Sequence, residues 1–190
     1  MDPLSDVLSL LRPRSFMVRG LDAGGRWSLT FPRVDGVKCY AILSGVCWLA
    51  VEGVDEALRL TAGDCVLLPD GRAFRLASDM DLPSDDAKAV IAAAPEGGIA
   101  YMGGGGDCFG IGGFFDFTGS HAEILLSMLP SVIHIRREAD KMALRWCLER
   151  LMQELREPQP GGTLIGEHLV HMLLVQALRL HMADGGQGRV

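Results

Sequence analysis

Between residues 27 and 77 apolar and polar positions alternate in short runs separated by glycine turns. Trp27-Ser28-Leu29-Thr30-Phe31 carries the period of two that marks a half-buried strand. Further runs at 37–43, 47–51, 57–60, 65–68 and 73–77 begin eight to ten residues apart. Asp35-Gly36, Ser44-Gly45, Glu52-Gly53, Ala62-Gly63-Asp64 and Asp70-Gly71 lie between them, where glycine supplies the backbone freedom of a tight turn. That rhythm predicts a small antiparallel barrel or sandwich. The acidic stretch 79–86, which contains Pro83, reads as an exposed loop. Ser84-Asp85-Asp86 then caps a short helix through Ala94, ended by Pro95. Strands resume at 99–102, 114–117 and 133–135. The glycine runs 103–106 and 110–113 read as a flexible hairpin connection between the first two.

The last third changes period. Leu144, Leu148, Leu151 and Leu155 recur at steps of 4, 3 and 4, which lays them on one helical face, with Glu149, Arg150, Glu154 and Arg156 mainly opposite. Pro158-Gln159-Pro160-Gly161-Gly162 interrupts this helix and Thr163 caps the next, which runs to about Met182. The second helix is apolar over most of its circumference, so it is expected to be buried on two sides, with a second subunit as one partner. Leu169, Met172, Leu173, Gln176 and Leu180 form the expected seam of a homodimer.

Composition narrows the function. The 190 residues carry 18 Lys and Arg against 24 Asp and Glu, a formal charge of −6, which argues against a nucleic-acid surface. One domain, or one domain with an appendage, suits this length. The five cysteines are widely spaced and form no C-x-x-C pair, so reduced, mostly buried thiols in a cytosol are expected rather than a zinc ribbon. The N-terminus lacks the cationic start and cleavage site of a signal peptide, and no run approaches the ~20 apolar residues that span a bilayer. A soluble cytoplasmic protein without membrane contact is the expectation.

The most informative segment is Gly63-Asp64-Cys65-Val66-Leu67-Leu68-Pro69-Asp70-Gly71-Arg72-Ala73-Phe74. It resembles the second motif of the cupin superfamily, with Phe74 in the position of a metal-binding histidine. Tyr40-Ala41-Ile42-Leu43-Ser44-Gly45 resembles the strand that ends the first motif. There Lys38 occupies the glutamate position, and no histidine precedes His121. All four expected ligands are missing, and an ammonium and a phenyl ring do not hold a cation. No metal and no other cofactor is therefore expected. The resemblance extends along nearly the whole chain to the cupin-type N-terminal domain of AraC-family transcriptional regulators. It is carried by MDPLSDVLSLLRPRS, WSLTFP, KCYAILSGVCWLAVEG, LRLTAGDCVLLPDGRAFRLAS, LSMLPSVIHI and PGGTLIGEHLVHMLLVQALRLH. The implied fold is mainly β with C-terminal α: a cupin-like antiparallel β-barrel of jelly-roll type at 20–135, followed by a helical dimerisation hairpin at 136–183. Residues 1–19 form an N-terminal segment and 184–190 a linker. The implied function is binding of a small effector and dimerisation, with DNA reached only through a helix-turn-helix part beyond this chain.

Strand alternation proposes a pocket lining. Lys38, Tyr40 and Ile42 share a face. Lys38 and Phe74 take positions that face inward in cupins, and Trp48 stands on the next strand. Aromatics would grip an apolar body and Lys38 an anionic group. The competing reading fills the barrel with these side chains and lets Lys38 reach solvent. The glycine runs match neither phosphate-loop template. His168 and His171, one turn apart, have no third metal ligand at a recognisable spacing, and Cys108 has no neighbouring base. A metal-independent cupin isomerase or epimerase would have only Lys38 and Tyr40 for proton transfer. A short form that pairs with full-length regulators is the remaining alternative.

Overall fold

The computed structural model describes residues 12–118, 120–135 and 138–185; the expected seam residue Leu180 has its side chain outside the described set, as do residues 1–11 and the tail 186–190 entirely. Among the described residues eleven strands form two sheets. The six-stranded sheet has the order β11 (Ile133–Ile135), β6 (Cys65–Leu68), β3 (Val37–Ser44), β10 (Cys108–Thr118), β1 (Arg12–Ala23) and β9 (Ile99–Met102). The five-stranded sheet has the order β5 (Leu58–Thr61), β4 (Val46–Val51), β7 (Phe74–Ala77), β2 (Ser28–Phe31) and β8 (Asp85–Asp86). The sheets face each other as an open cupin-like sandwich, within the expected cupin-like fold of mainly β with C-terminal α. Two pairings are parallel, β1 with β9 and β2 with β8; the others are antiparallel. Both parallel pairs belong to one strap, residues 79–98, which leaves the five-stranded sheet at β8, forms helix α1 (Ala87–Ala92) and enters the six-stranded sheet at β9. Asp86 caps α1 by accepting from the Lys88 N–H.

Helices α2 (Ser120–Ser127), α3 (Glu138–Arg156) and α4 (Gly162–Gly185) complete the fold. Two apolar clusters follow from this layering. One joins the outer face of the six-stranded sheet to the helices, through Cys39, Ala41, Phe115, Leu144, Leu148, Leu151, Leu169 and Leu173. The other lies between the sheets, around Trp27, Leu29, Ile42, Leu49 and Leu76. The six-stranded sheet is thus covered on both faces, which explains why Cys65-Val66-Leu67-Leu68 is an unbroken buried run rather than an alternating one. The Gly63-Asp64 turn fastens α3 to this sheet. The Asp64 carboxylate accepts from the Thr61 N–H at 2.8 Å and lies 3.1 Å from the Lys141 ammonium.

The structure corrects four expectations. A strand, β1, occupies residues 12–19 of the segment assigned to 1–19 and continues to Ala23, and α2 was not anticipated. The 110–113 glycines lie inside β10 rather than in a connection, because β1 and β3 pair with that strand on both sides. The residues expected to form a dimer seam do not form one exposed row. Leu169 and Leu173 are buried within the chain against α3 and the sheet, while Gln176 is half-buried. Of the seam residues with described side chains, only Met172 is exposed, and the other exposed apolar residues of α4 are Leu164, Ile165 and Met182. The helix reads apolar all round because one side packs inward while the other keeps scattered apolar residues. Finally, no described helix is long and apolar enough to cross a membrane.

Candidate functional site

Between the sheets lies a cavity of about 450 Å³. Its floor is set by register on three strands of the larger sheet. Met17, Phe114 and Lys38 form one row, Arg19, Gly112 and Tyr40 the next, and Leu21, Gly110 and Ile42 the third. Trp27, Phe31, Cys47 and Leu76 face them from the other side, and α1 supplies Ala87, Lys88 and Ile91. The lining is mainly apolar, as ligand pockets are.

The hollow exists because the central strand has glycine where its neighbours have side chains. A Cβ on Gly112 would lie 2.3 Å from Cε1 of Tyr40, and one on Gly110 would lie 3.3 Å from Cδ1 of Ile42. Without those atoms the Tyr40 ring lies down across β10 and space remains above it. Residues 110–113 look like loop sequence, yet two of them shape the cavity floor.

Lys38, Tyr40 and Ile42 are brought together on one wall, as period two required. Phe74 does not line the cavity but backs it. Its ring stacks on Phe31 at 4.4 Å and meets Tyr40 edge-on at 5.0 Å. Trp48 lies off the cavity and is half-buried on the other face of β4, whose inward residues are Cys47, Leu49 and Val51.

The Lys38 ammonium is already engaged. It donates to the carbonyl oxygens of Pro32 at 2.8 Å and Arg72 at 3.1 Å, and lies 4.7 Å from the centroid of the Phe74 ring. It stitches the β2–β3 connection to the β6–β7 connection. Burial, assisted by the nearby Arg33 charge and opposed by Asp70, lowers its pKa to about 8. Lys38 and Phe74 stand at two positions where the cupin motifs carry metal ligands, and here they form an ammonium–ring pair. This donor set does not fit a metal. Among the described residues no group of three or more His, Cys, Asp or Glu side chains is placed to hold one.

Sequence reasoning missed Arg19, which lay in a segment not read as strand. From β1 it reaches into the cavity, and its Nε donates to the Ala94 carbonyl at the end of the strap, at 3.1 Å. Its Nη1 is buried and has no hydrogen-bond partner among the described residues. Arg33 and Lys88, both exposed, also belong to the lining, so among the described residues four cationic side chains and no carboxylate line the cavity of an acidic chain. The signal available in sequence was weak: Met17, Arg19 and Leu21 alternate with Phe16, Val18 and Gly20, but three arginines in RPRSFMVRG mask the period.

A family profile described as Cupin matches residues 2–183. Two curated relatives, AraC-like transcription regulators of Streptomyces antibioticus and Streptomyces lividans, are each 43% identical over 183 residues, 96% of this chain. The HTH-type transcriptional regulator AlkR of Acinetobacter baylyi is 24% identical over 97% of the chain. The chain spans about 60% of the length of these relatives. Among solved structures, apo ToxT from Vibrio cholerae, in a variant form, superposes with a TM-score of 0.51 at 13% identity, covering 88% of this chain and 57% of that one. Wild-type ToxT with unsaturated fatty acid bound gives 0.50 at 12% identity, covering 90% and 55%. These likenesses agree with the observed fold, and the more similar relatives are named as regulators rather than enzymes. The chain belongs to the cupin family, in the form found in AraC-like transcription regulators.

Proposed function

We propose that this chain is the effector-binding and dimerisation part of an AraC-type transcription regulator acting in the cytoplasm. The observation that carries the reading is the cavity between the sheets, floored by glycines and walled by Tyr40, Phe31 and Trp27. It has the volume of a small organic molecule and no metal-binding donor set. Binding there would shift the population of helix arrangements, and DNA would be reached through the part of the regulator this chain does not span. Ile165 and Met172, exposed at 40% and 41% on α4, are the favoured dimer contacts in place of the buried seam.

Native mass spectrometry of the freshly purified chain tests this. A dimer with one small organic adduct per protomer is expected, and the paired substitution Ile165→Glu with Met172→Glu is expected to give adduct-bearing monomers. No adduct, together with no thermal shift across a panel of small apolar molecules, overturns the effector reading. A dimer that survives the paired substitution overturns the interface.

A further inference from the structure

We propose that Cys47 and Cys108 form a dithiol oxidised by hydroperoxides, with Cys108 as the attacking sulfur, Cys47 as the resolving one and an inter-sheet disulfide as the product. This modification site goes beyond effector binding and does not depend on it. The fold brings together two cysteines that are remote in sequence and stand on opposite sheets, Cys47 second in β4 and Cys108 first in β10. Both point between the sheets. Cys47 shares the inward set of β4 with Leu49 and Val51, and Cys108 that of β10 with Gly110 and Gly112. The corner that carries the chain from β3 to β4 presses onto the start of β10. A Cβ on Gly45 would lie 2.0 Å from the Asp107 carbonyl oxygen and 2.9 Å from Cα of Cys108. Just beyond that corner Cys47 meets Cys108, and its S–H donates to the Cys108 sulfur.

The five cysteines are of two kinds. Cys39, Cys65 and Cys147 are sealed in the cluster between the larger sheet and the helices, where burial pushes all three thiols up. Neutral thiols in an apolar core are inert. Cys47 and Cys108 belong instead to the cluster between the sheets, and both border the cavity. The hydrogen bond from Cys47 lowers the pKa of Cys108, against its burial and the nearby Asp22 charge. The same bond, with burial, raises that of Cys47. One sulfur is thereby prepared as a thiolate while the other keeps its proton. Cys108 is also the more accessible, at 4% against 1%. The attacking sulfur must meet the oxidant, whereas the resolving one needs only its partner.

The hydroperoxide, ROOH, is the oxidant. The Cys108 thiolate attacks the O–O bond, which breaks; ROH leaves with the proton that Cys108 shed, and a sulfenic acid remains. The Cys47 sulfur then attacks that sulfur and the S–S bond forms. The displaced hydroxide takes the Cys47 proton and departs as water. The thiol pair is oxidised by two electrons and ROOH is reduced to ROH and water. The new bond would tie β4 to β10 beside the β3–β4 corner, a redox input separate from whatever the cavity holds.

Hydrogen peroxide treatment of the intact reduced chain, followed by alkylation in denaturant and peptide mapping, tests this. The expected product is lighter by two hydrogens and contains a crosslinked Cys47–Cys108 peptide that dithiothreitol separates, with Cys39, Cys65 and Cys147 alkylated. Cys47→Ala is expected to stop at a Cys108 sulfenic acid trapped by dimedone, and Cys108→Ala to leave Cys47 reduced. A folded wild type in which Cys47 and Cys108 stay reduced overturns the proposal, as does oxidation of the three core cysteines at the rate of the pair. Should either variant not fold, dimedone present during oxidation of wild type decides the roles: the label is expected on Cys108, and a label on Cys47 overturns the assignment. A crosslink in chain that carries no organic adduct leaves this inference standing where the effector reading fails.

Discussion

The two faces of the six-stranded sheet are made by the same strands and end up unlike. On the helix side Cys39, Ala41, Ile111 and Phe115 meet Leu144, Leu148 and Leu151 with almost no exposed surface. On the other side Gly110 and Gly112 leave a hollow between Tyr40, Ile42 and the opposite sheet. Along β10 the two outcomes alternate residue by residue, glycine inward at 110 and 112 and isoleucine outward at 111. A strand can therefore anchor a core with one set of positions and hold space open with the other. Close packing is concentrated on the helix face and open space on the sandwich face.

Substitutions can break or sharpen that contrast. Leu148→Ala, at a fully buried site, is expected to cost about 3–5 kcal/mol in urea denaturation, while Ile42→Ala, bordering space already empty, is expected to cost about 2 kcal/mol or less. Equal costs would remove the distinction. Gly112→Val forces the Tyr40 ring aside and is expected to cost about 1–3 kcal/mol and to abolish the adduct in native mass spectra. Retained adduct would mean that the floor of the cavity does not bind. Lys38→Met removes two hydrogen bonds but also a buried charge, and a net loss of about 1–2 kcal/mol at neutral pH is expected.

The Lys38 substitution also has a pH signature. With its pKa lowered to about 8 from the usual 10.5, Lys38 in the folded chain has released a proton that the unfolded chain keeps, so it makes stability rise with pH between those values. The buried thiols of Cys65 and Cys147, pushed up to about 12 and about 11 by burial, act in the opposite direction above pH 9. The wild-type minus Lys38→Met difference isolates the lysine. It is expected to increase by on the order of 1–3 kcal/mol across that window. A flat difference would show that the ammonium is not desolvated. The smallest effect is reserved for Trp48→Phe, off the cavity and half-buried: less than about 1 kcal/mol, with the adduct retained.

What could be read in the sequence follows from how regular each region is. Runs of period two bounded by Gly turns placed β2 through β7 within a residue or two, and the same alternation put Lys38, Tyr40 and Ile42 on one wall. The leucine spacing similarly marked α3. Three features escaped because their residues usually mean something else. Arginines in β1 resemble surface residues, glycines in β10 resemble a loop, and buried Leu169 and Leu173 resemble an interface until α3 and the sheet are seen to cover them. The Arg19–Ala94 hydrogen bond joins positions 75 apart in sequence, and local pattern carries no information about it.

The strap has one more consequence, for how the protein keeps apart from others. A sheet edge with unpaired N–H and C=O groups invites another chain to dock. Here each sheet ends in short strands: four residues at β9 and three at β11, four at β5 and two at β8. Asp85 and Asp86, which make up β8, are exposed and acidic, so the edge next to β2 is guarded by charge as well as by brevity. Removing residues 79–102, the strap with β9, would bare β2 and β1 together, and the first symptom would be aggregation during expression.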